Sequence, residues 1–510
     1  MESRDAGTSS AKPDDFPVTD LQHLELNRKE TTAQDGSIQS PSQQYSVLSE
    51  REKIFTIVLC SAVNFLSPVS SNMYYPALGP LARDMNVSKS TMNLTITVFK
   101  IVQGIAPLLT ATIADQNGRR PIVLICLLFF FGSNIGLALQ THFAGLMVLR
   151  GVQSLGSSSG SVVANAAVAD LVTRAERGKY MFYSSLGMTI GPAVGPILGG
   201  VIIQFLGWRS SFWFLTIVSG VIVLIMAMFL RETCRAVTGN GSIPPQRWNK
   251  SILQMIKGGN GPTPNYATRT VFKRRPSLID VLKIVMHRHI GILVLCSTVR
   301  FSGSIAILST LPALLEQKYH YNTLQIGLCY IPFAVGGIVT RWTVGTVTDW
   351  NYRRHAQRND VEVRPNEQQE LQCVPIEKAR LQITIPLMYL SSCSVLAYGW
   401  TMNYNVHIAA PLIILFLLGN TDAGVTNTLK MLVMDLHTSR PATATAAMNG
   451  FKNLIGAGAI AAALPLINVI GMGWVGTIIS LLWLLVTPAL WILYFKGHGW
   501  RKRQQVQVYD

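Results

Sequence analysis

Twelve times along its 510 residues this chain runs apolar for about 20 positions, the length a helix needs to cross the hydrocarbon core of a bilayer. The runs lie near residues 54 to 75, 92 to 113, 121 to 140, 144 to 168, 180 to 205, 211 to 230, 290 to 314, 324 to 347, 383 to 401, 407 to 429, 447 to 470 and 474 to 495. Inside lipid every backbone N–H and C=O must be satisfied within its own segment, so each run is expected to be a helix. Composition agrees, because 49% hydrophobic and 14% charged residues leave too little polar surface for a chain in water. The expected fold class is an all-α membrane protein, with twelve transmembrane helices in two six-helix bundles at residues 54–230 and 290–495. A disordered cytoplasmic tail at 1–53, a cytoplasmic linker at 231–289 and a short tail at 496–510 complete the chain.

A net charge of +17 would suggest nucleic acid in a soluble chain, but the positions of the charges argue for topology instead. With both termini placed in the cytoplasm, 27 Lys and Arg between and after the spans fall on the cytoplasmic side. Only Arg83, Lys89, Arg209 and Lys318 fall on the other. The expected setting is therefore a multi-pass cell-membrane protein, a monomer in the lipid bilayer with no nucleic-acid partner. Seven scattered cysteines give no disulfide framework and no metal-ligand pair, so no metal or cofactor is expected. The first 50 residues are polar and lack a basic start leading into an apolar core, which excludes a cleavable signal peptide from the reading. The central linker carries Lys273, Arg274 and Arg275 beside Gly- and Pro-rich stretches and is expected to be solvated. Asn86, Val87 and Ser88 match a glycosylation acceptor close to the membrane.

One ten-residue stretch occurs twice, 234 positions apart: ATIADQNGRR from Ala111 to Arg120, and GTVTDWNYRR from Gly345 to Arg354. Both copies set an Asp four residues before an Arg-Arg pair where an apolar run meets a basic loop. An internal repeat of this kind marks a transporter built from two homologous halves that rock about a central site. The fifth run reads LGMTIGPAVGPILGG, which places Gly187, Gly191, Gly195 and Gly199 on one helical face beside Pro192, Pro196 and Gly200. Such a face lets a neighbouring backbone approach closely, and the prolines loosen the helix beside it.

These stretches resemble known signatures. Ala111 to Arg120 is similar to the loop motif of the major facilitator superfamily, with Ala111 in place of the usual opening Gly and Gln116 in place of a usual Arg. The glycine face resembles the antiporter motif of exporting members. SPVSSNMYYPAL after the first span, Arg150 and Gln153 in the fourth, GWRSSFWFL, IGLCYIPFAVGG and MDLHTSRPATATAAMNGFKNLIGAGA extend the likeness over about nine tenths of the chain. Together they look like the twelve-span fungal drug:proton antiporters, specifically the quinidine-resistance branch. The resemblance implies a major facilitator fold and a gating latch of Asp115, Arg119 and Arg120, with Asp349, Arg353 and Arg354 as its twin. Charges that serve topology alone are the alternative for these residues.

The resemblance also implies that spans 1, 4, 7 and 10 line a central cavity, and the polar residues fall on those spans at helical spacing. Asn64, Ser67 and Ser71 lie on span 1, Arg150, Ser154, Ser157, Ser161 and Asn165 on span 4, Ser297, Arg300 and Ser304 on span 7, and Asn420 and Asp422 on span 10. Six basic residues lie within spans (Lys100, Arg150, Arg300, Arg341, Lys430 and Lys452) against one acid, Asp422. Arg341, Lys430 and Lys452 are expected to snorkel to water at the cytoplasmic ends. Arg300, Arg150, Lys100, Asn64, Ser157, Ser161 and Asn420 are the expected substrate-binding set. Two other roles stay open: Arg300 pairing with Asp422, and Arg150 serving gating or packing. Asp422 is the expected proton-coupling group, with Asp115 and Asp170 assisting; His287 and His437 are expected to titrate in loops without consequence.

The function that follows is a secondary active transporter that exports a small organic molecule, a drug, secondary metabolite or organic acid, across the plasma membrane by alternating access with proton antiport. A cavity rich in cations points alternatively to an organic-anion transporter or facilitator. A membrane sensor that keeps the fold without transporting is a third class. No nucleophile triad, metal cluster or phosphate loop points to an enzyme.

Overall fold

A computed structural model of the chain describes residues 49–172, 177–238, 246–256, 286–358, 375–404, 406–436 and 441–509. Residues 1–48, most of the linker with Lys273, Arg274 and Arg275, and His437 lie outside the described residues. Among the described residues there is no strand, and every apolar run is helical. Spans 1 to 6 are Glu50–Asn72, Lys89–Asn117, Arg119–Leu139, Phe143–Leu171, Arg177–Leu206 and Trp208–Phe229. Spans 7 to 10 are Arg288–Tyr319, the segmented Thr323–Gln357, Ile376–Asn403 and Ala409–Leu436, followed by spans 11 and 12 at 441–470 and 472–509.

Length and apolarity alone mark ten of the described helices as able to cross a membrane. One of the ten is two spans, broken at Gly471, whose φ of 81° is left-handed backbone that a residue without Cβ adopts cheaply. Phe143–Leu171 is the twelfth; its serine-rich interior with Arg150 and Gln153 lowers its hydropathy without shortening it. Span 8 is interrupted before Pro332, which has no N–H to give the helix, and again by a wide turn over Arg341–Gly345.

The helices outrun their apolar cores. Span 1 starts at Glu50, where Ser49 and Glu52 form a reciprocal capping box, so the expected tail ends four residues early. Span 12 stays helical to Tyr509, through the residues expected as a tail. The described parts of the linker carry short helical segments. Its start carries a short helix at Arg235–Thr238, and residues 246–256 hold a turn and a second short helix, with the Asn249 amide donating to the Asn117 carbonyl.

The apolar cores are distributed unevenly. At the face that carries the start of span 1 and the end of span 12, here the basic face, spans 1–6 have one core (Ile57, Val123, Phe130, Val168, Met226) and spans 7–12 another (Leu293, Leu381, Leu429, Met448, Leu493). At the opposite face a single core takes Tyr75, Leu81, Ile96 and Phe212 from the first half and Leu311, Tyr330, Tyr398 and Trp483 from the second. The halves are joined on one side of the membrane and separate on the other.

Candidate functional site

The deepest charged contact joins spans 7 and 10. Arg300 donates through Nη1 to Asp422 Oδ1 at 2.6 Å, and Ser304, one turn on, donates to the same oxygen at 2.7 Å. Arg300 sits 12 residues into span 7, about 18 Å from its start at 1.5 Å per residue, which is mid-bilayer. It is 1% exposed, lies 5.0 Å from the Trp483 ring, and its Nε and Nη2 are buried without a partner. An unmet buried donor costs about 1–3 kcal/mol, so this side chain is held at a deficit. Asp422 keeps a 22% exposed side chain, so the pair has one wet edge.

Lys452 departs from the expected snorkelling. It lies 11 residues into span 11, at the same depth as Arg300, is 6% exposed, and packs its ammonium 5.6 Å from the Phe301 ring. Among the described residues it has neither a carboxylate nor a hydrogen-bond partner. Lys430 has an exposed side chain, and the side chain of Arg341 lies outside what is described.

The first half presents two further cations. Arg150 is fully buried with its guanidinium 3.9 Å from the Tyr74 ring and 4.5 Å from the Phe99 ring, and it donates to Gln153, which in turn donates to Asn134. Seven residues from the start of span 4, Arg150 belongs to the closed opposite side. Lys100 donates to Gln103 at 2.8 Å, and Gln103 reaches Ser67 on span 1.

The other expected binding residues make contacts within and between helices. Asn64 is sealed in a polar knot with Asn165 and Ser184 that fastens spans 1, 4 and 5. Ser157 and Ser161 are buried and donate to their own helix at Ser154 and Ser157. Asn420 faces span 8, donating to the Gly336 carbonyl and to Thr343. Period-3.6 polarity is shared by helix seams and wet cavities, so the pattern did not separate them.

The loop motif forms a compact network on the basic face. Arg119 pairs with Asp115 and, at 3.0 Å, with Asp170 at the end of span 4. Arg120 stands apart from this pair: buried, it donates to the carbonyls of Ala227, Leu230 and Trp248, anchoring span 3 to span 6 and the linker. Among the described residues no ion pair joins Asp349 to Arg353 or Arg354; Arg354 instead lies 5.5 Å from the Trp350 ring.

Glu232 was not anticipated. Its carboxylate accepts from the N–H groups of Arg119 (2.8 Å), Arg120 (3.3 Å), Thr233 and Cys234, which caps the start of span 3. Burial pushes its pKa above the ordinary carboxylate value, against the four donors that pull it down. Gly118, at φ 108°, leaves the space: a Cβ there would collide with this carboxylate. No periodicity signals a lone Glu just past a span.

The glycine face of span 5 packs along span 1. A Cβ built at Gly191 would lie 2.5 Å from Pro68, one at Gly195 3.0 Å from Asn72, one at Gly199 2.5 Å from the Met73 carbonyl, and one at Gly187 would meet Ser61. Pro192, beside this face, is half-buried. Gly200 faces the other way, onto Gly327 of span 8, and so belongs to the seam between halves. Tyr75 and Tyr330 stack across that seam at 5.7 Å, and Glu316 of span 7 pairs with Lys89 (2.8 Å) and Arg83 (3.5 Å) of the first half. Beside Glu316 a crevice of about 470 Å³ opens to the opposite face, far from the mid-bilayer charges.

A model of the major facilitator superfamily matches residues 60–461, most of the chain. The chain belongs to the major facilitator superfamily. Among its relatives, this major facilitator is 40% identical to the MFS-type transporter R5 of a Phoma species over 95% of this chain and 94% of that one. It is also 40% identical to the MFS-type transporter clz19 of Cochliobolus lunatus, over 90% and 87%, and 28% identical to citrate exporter 1 of Aspergillus niger, over 91% and 90%. Its fold is similar to that of the human organic anion transporter MFSD10, with a TM-score of 0.55 at 19% identity, covering 87% of this chain and all of that one. As a major facilitator it is a membrane-embedded transporter of small organic molecules and not an enzyme.

Proposed function

We propose that this chain exports a small organic molecule across the plasma membrane by alternating access, with both termini cytoplasmic and with protons moving inward in exchange. The observation that carries this reading is the pairing of one fused core at the opposite face with two separate cores at the basic face, around a charged pair at mid-depth. That arrangement is one of the two states a rocking transporter visits, the one open toward the side where an exporter collects its substrate.

Asp422 is the proton-coupling group of this proposal. Protonating it removes the charge that binds Arg300, so the same carboxyl governs both proton occupancy and the freedom of Arg300. The latch of Asp115, Arg119 and Asp170 lies within the first half, which suits a state whose basic-face gate is open.

A second reading, an organic-anion carrier, is favoured by four buried cations within the spans, Lys100, Arg150, Arg300 and Lys452, against one carboxylate, Asp422. The names of a citrate exporter and an organic anion transporter among the similar proteins accord with it.

The test is metabolite profiling of the medium of cells with and without the chain, followed by counterflow in proteoliposomes across an imposed pH gradient. Export of a compound that is lost in Arg300→Ala at equal surface delivery supports the proposal. No solute movement in either assay ends it.

A further inference from the structure

The cations within the spans are not equivalent. Arg300 has Asp422, Arg150 has two aromatic faces and Gln153, and Lys100 has Gln103. Lys452 alone among these four has no polar partner among the described residues, although it too is buried. Its helix cannot turn it to lipid or water without cost: one turn on, a Cβ at Gly456 would lie 3.1 Å from the Phe301 ring, and two residues earlier Gly450 abuts Gly104 of span 2. The Phe301 ring lies 5.6 Å from the ammonium, which is within electrostatic reach of Arg300, Asp422 and Lys430.

An ammonium held in a largely buried position beside a guanidinium is repelled by it, and the one carboxylate nearby, already paired with Arg300, leaves the cluster positive. A low-dielectric interior tolerates such an excess where a mobile anion completes it. Arg300 has two donors still to satisfy, and a guanidinium offers its fork to a carboxylate or phosphate oxygen pair, while Lys452 adds a point charge.

We propose that Lys452 and Arg300 form a two-cation subsite for an anionic group of the transported molecule, with Lys452 a substrate-binding residue. This rests on the transporter reading and narrows it to acids. The partner chemistry is a carboxylate or comparable oxyanion on an organic body.

The experiment uses purified full-length protein in detergent and a charge series on one ring, isophthalate, benzoate, benzamide and benzyltrimethylammonium, at matched ionic strength. Thermal unfolding midpoints are read for wild type, Lys452→Gln and Lys452→Arg, with size-exclusion profiles confirming that each variant is folded. The expected result ranks the ligands by negative charge, with apparent affinity for isophthalate about tenfold weaker in Lys452→Gln and retained in Lys452→Arg. Stabilisation that ignores charge, or isophthalate binding unchanged in Lys452→Gln, overturns the subsite. In parallel, export of neutral or cationic compounds without anion binding would remove the subsite and leave the transporter reading intact. Anion binding without any export by the wild type would do the reverse.

Discussion

Arg300 and Asp422 meet across spans 7 and 10 at 2.6 Å, with Arg300 sealed from solvent and Asp422 reached by it. The asymmetry decides which partner can be switched. A guanidinium does not release its proton in a protein, so in the proposed coupling the carboxyl at the wet edge is the partner that changes state.

Replacing Asp422 with Asn therefore strands a buried cation. The expected cost is about 3 kcal/mol, the lower end of that for a broken buried pair because Asp422 is partly solvated, read as a fall in unfolding midpoint. Asp422→Asn combined with Arg300→Gln should recover most of that stability and none of the pH-dependent transport. Full proton-coupled transport in Asp422→Asn would remove the carboxyl from coupling.

Gly191→Leu should separate spans 1 and 5, because even a Cβ there would lie 2.5 Å from Pro68. Overpacking of this kind costs about 1–3 kcal/mol. Counterflow activity should fall to background in protein that still reaches the membrane, whereas Gly132→Leu, where a Cβ meets nothing within 4 Å, should leave it unchanged.

The ion pairs of Glu316 with Lys89 and Arg83 hold the opposite face closed, although each is at least partly solvated. Pairs of this kind contribute about 0.5 kcal/mol each, so Glu316→Gln should shift the balance between the two states by roughly fivefold. Cys329 reports the shift, being buried beside Tyr330 in the closed seam. Its labelling by an impermeant maleimide should rise in Glu316→Gln, and the exchange Lys89→Glu with Glu316→Lys should restore protection.

Glu232→Ala should unfasten the start of span 3 and lower the unfolding midpoint by the equivalent of about 1–2 kcal/mol, the usual cost of a lost helix cap. The pH dependence has a definite sign. Burial raises the Glu232 pKa from its ordinary 4.5, so its stabilising contribution is complete below that value and is lost as pH rises through the raised pKa. The midpoint gap between wild type and Glu232→Gln should narrow with rising pH, and a gap that widened would show the four N–H donors outweighing burial.

Parts of the candidate site were legible locally. Arg300 and Asp422 stood out because charge within an apolar run has few excuses, and the glycine face because a period of four is a period of a helix. For Asn64, Ser157, Ser161 and Asn420 the pattern was ambiguous, because a polar stripe is equally the signature of a helix seam. Arg120 and Asp115 share one motif but perform different tasks, one anchoring span 6 and the linker and the other pairing with Arg119 beside Asp170. Spacing along the chain does not say which carbonyls a guanidinium will find.

Sequence by itself determined the solvent, the helical state of every span and the repeat, since these follow from the length and polarity of contiguous segments and from the obligation to satisfy each backbone group within lipid. Only the tertiary structure decided that Lys452 is buried at the depth of Arg300 and does not reach the surface, that Glu232 caps a helix more than a hundred residues away, and which face of the membrane is closed. Those outcomes depend on how separate helices meet, and the burial of a side chain is set by the neighbours that packing brings to it, which a linear pattern does not contain.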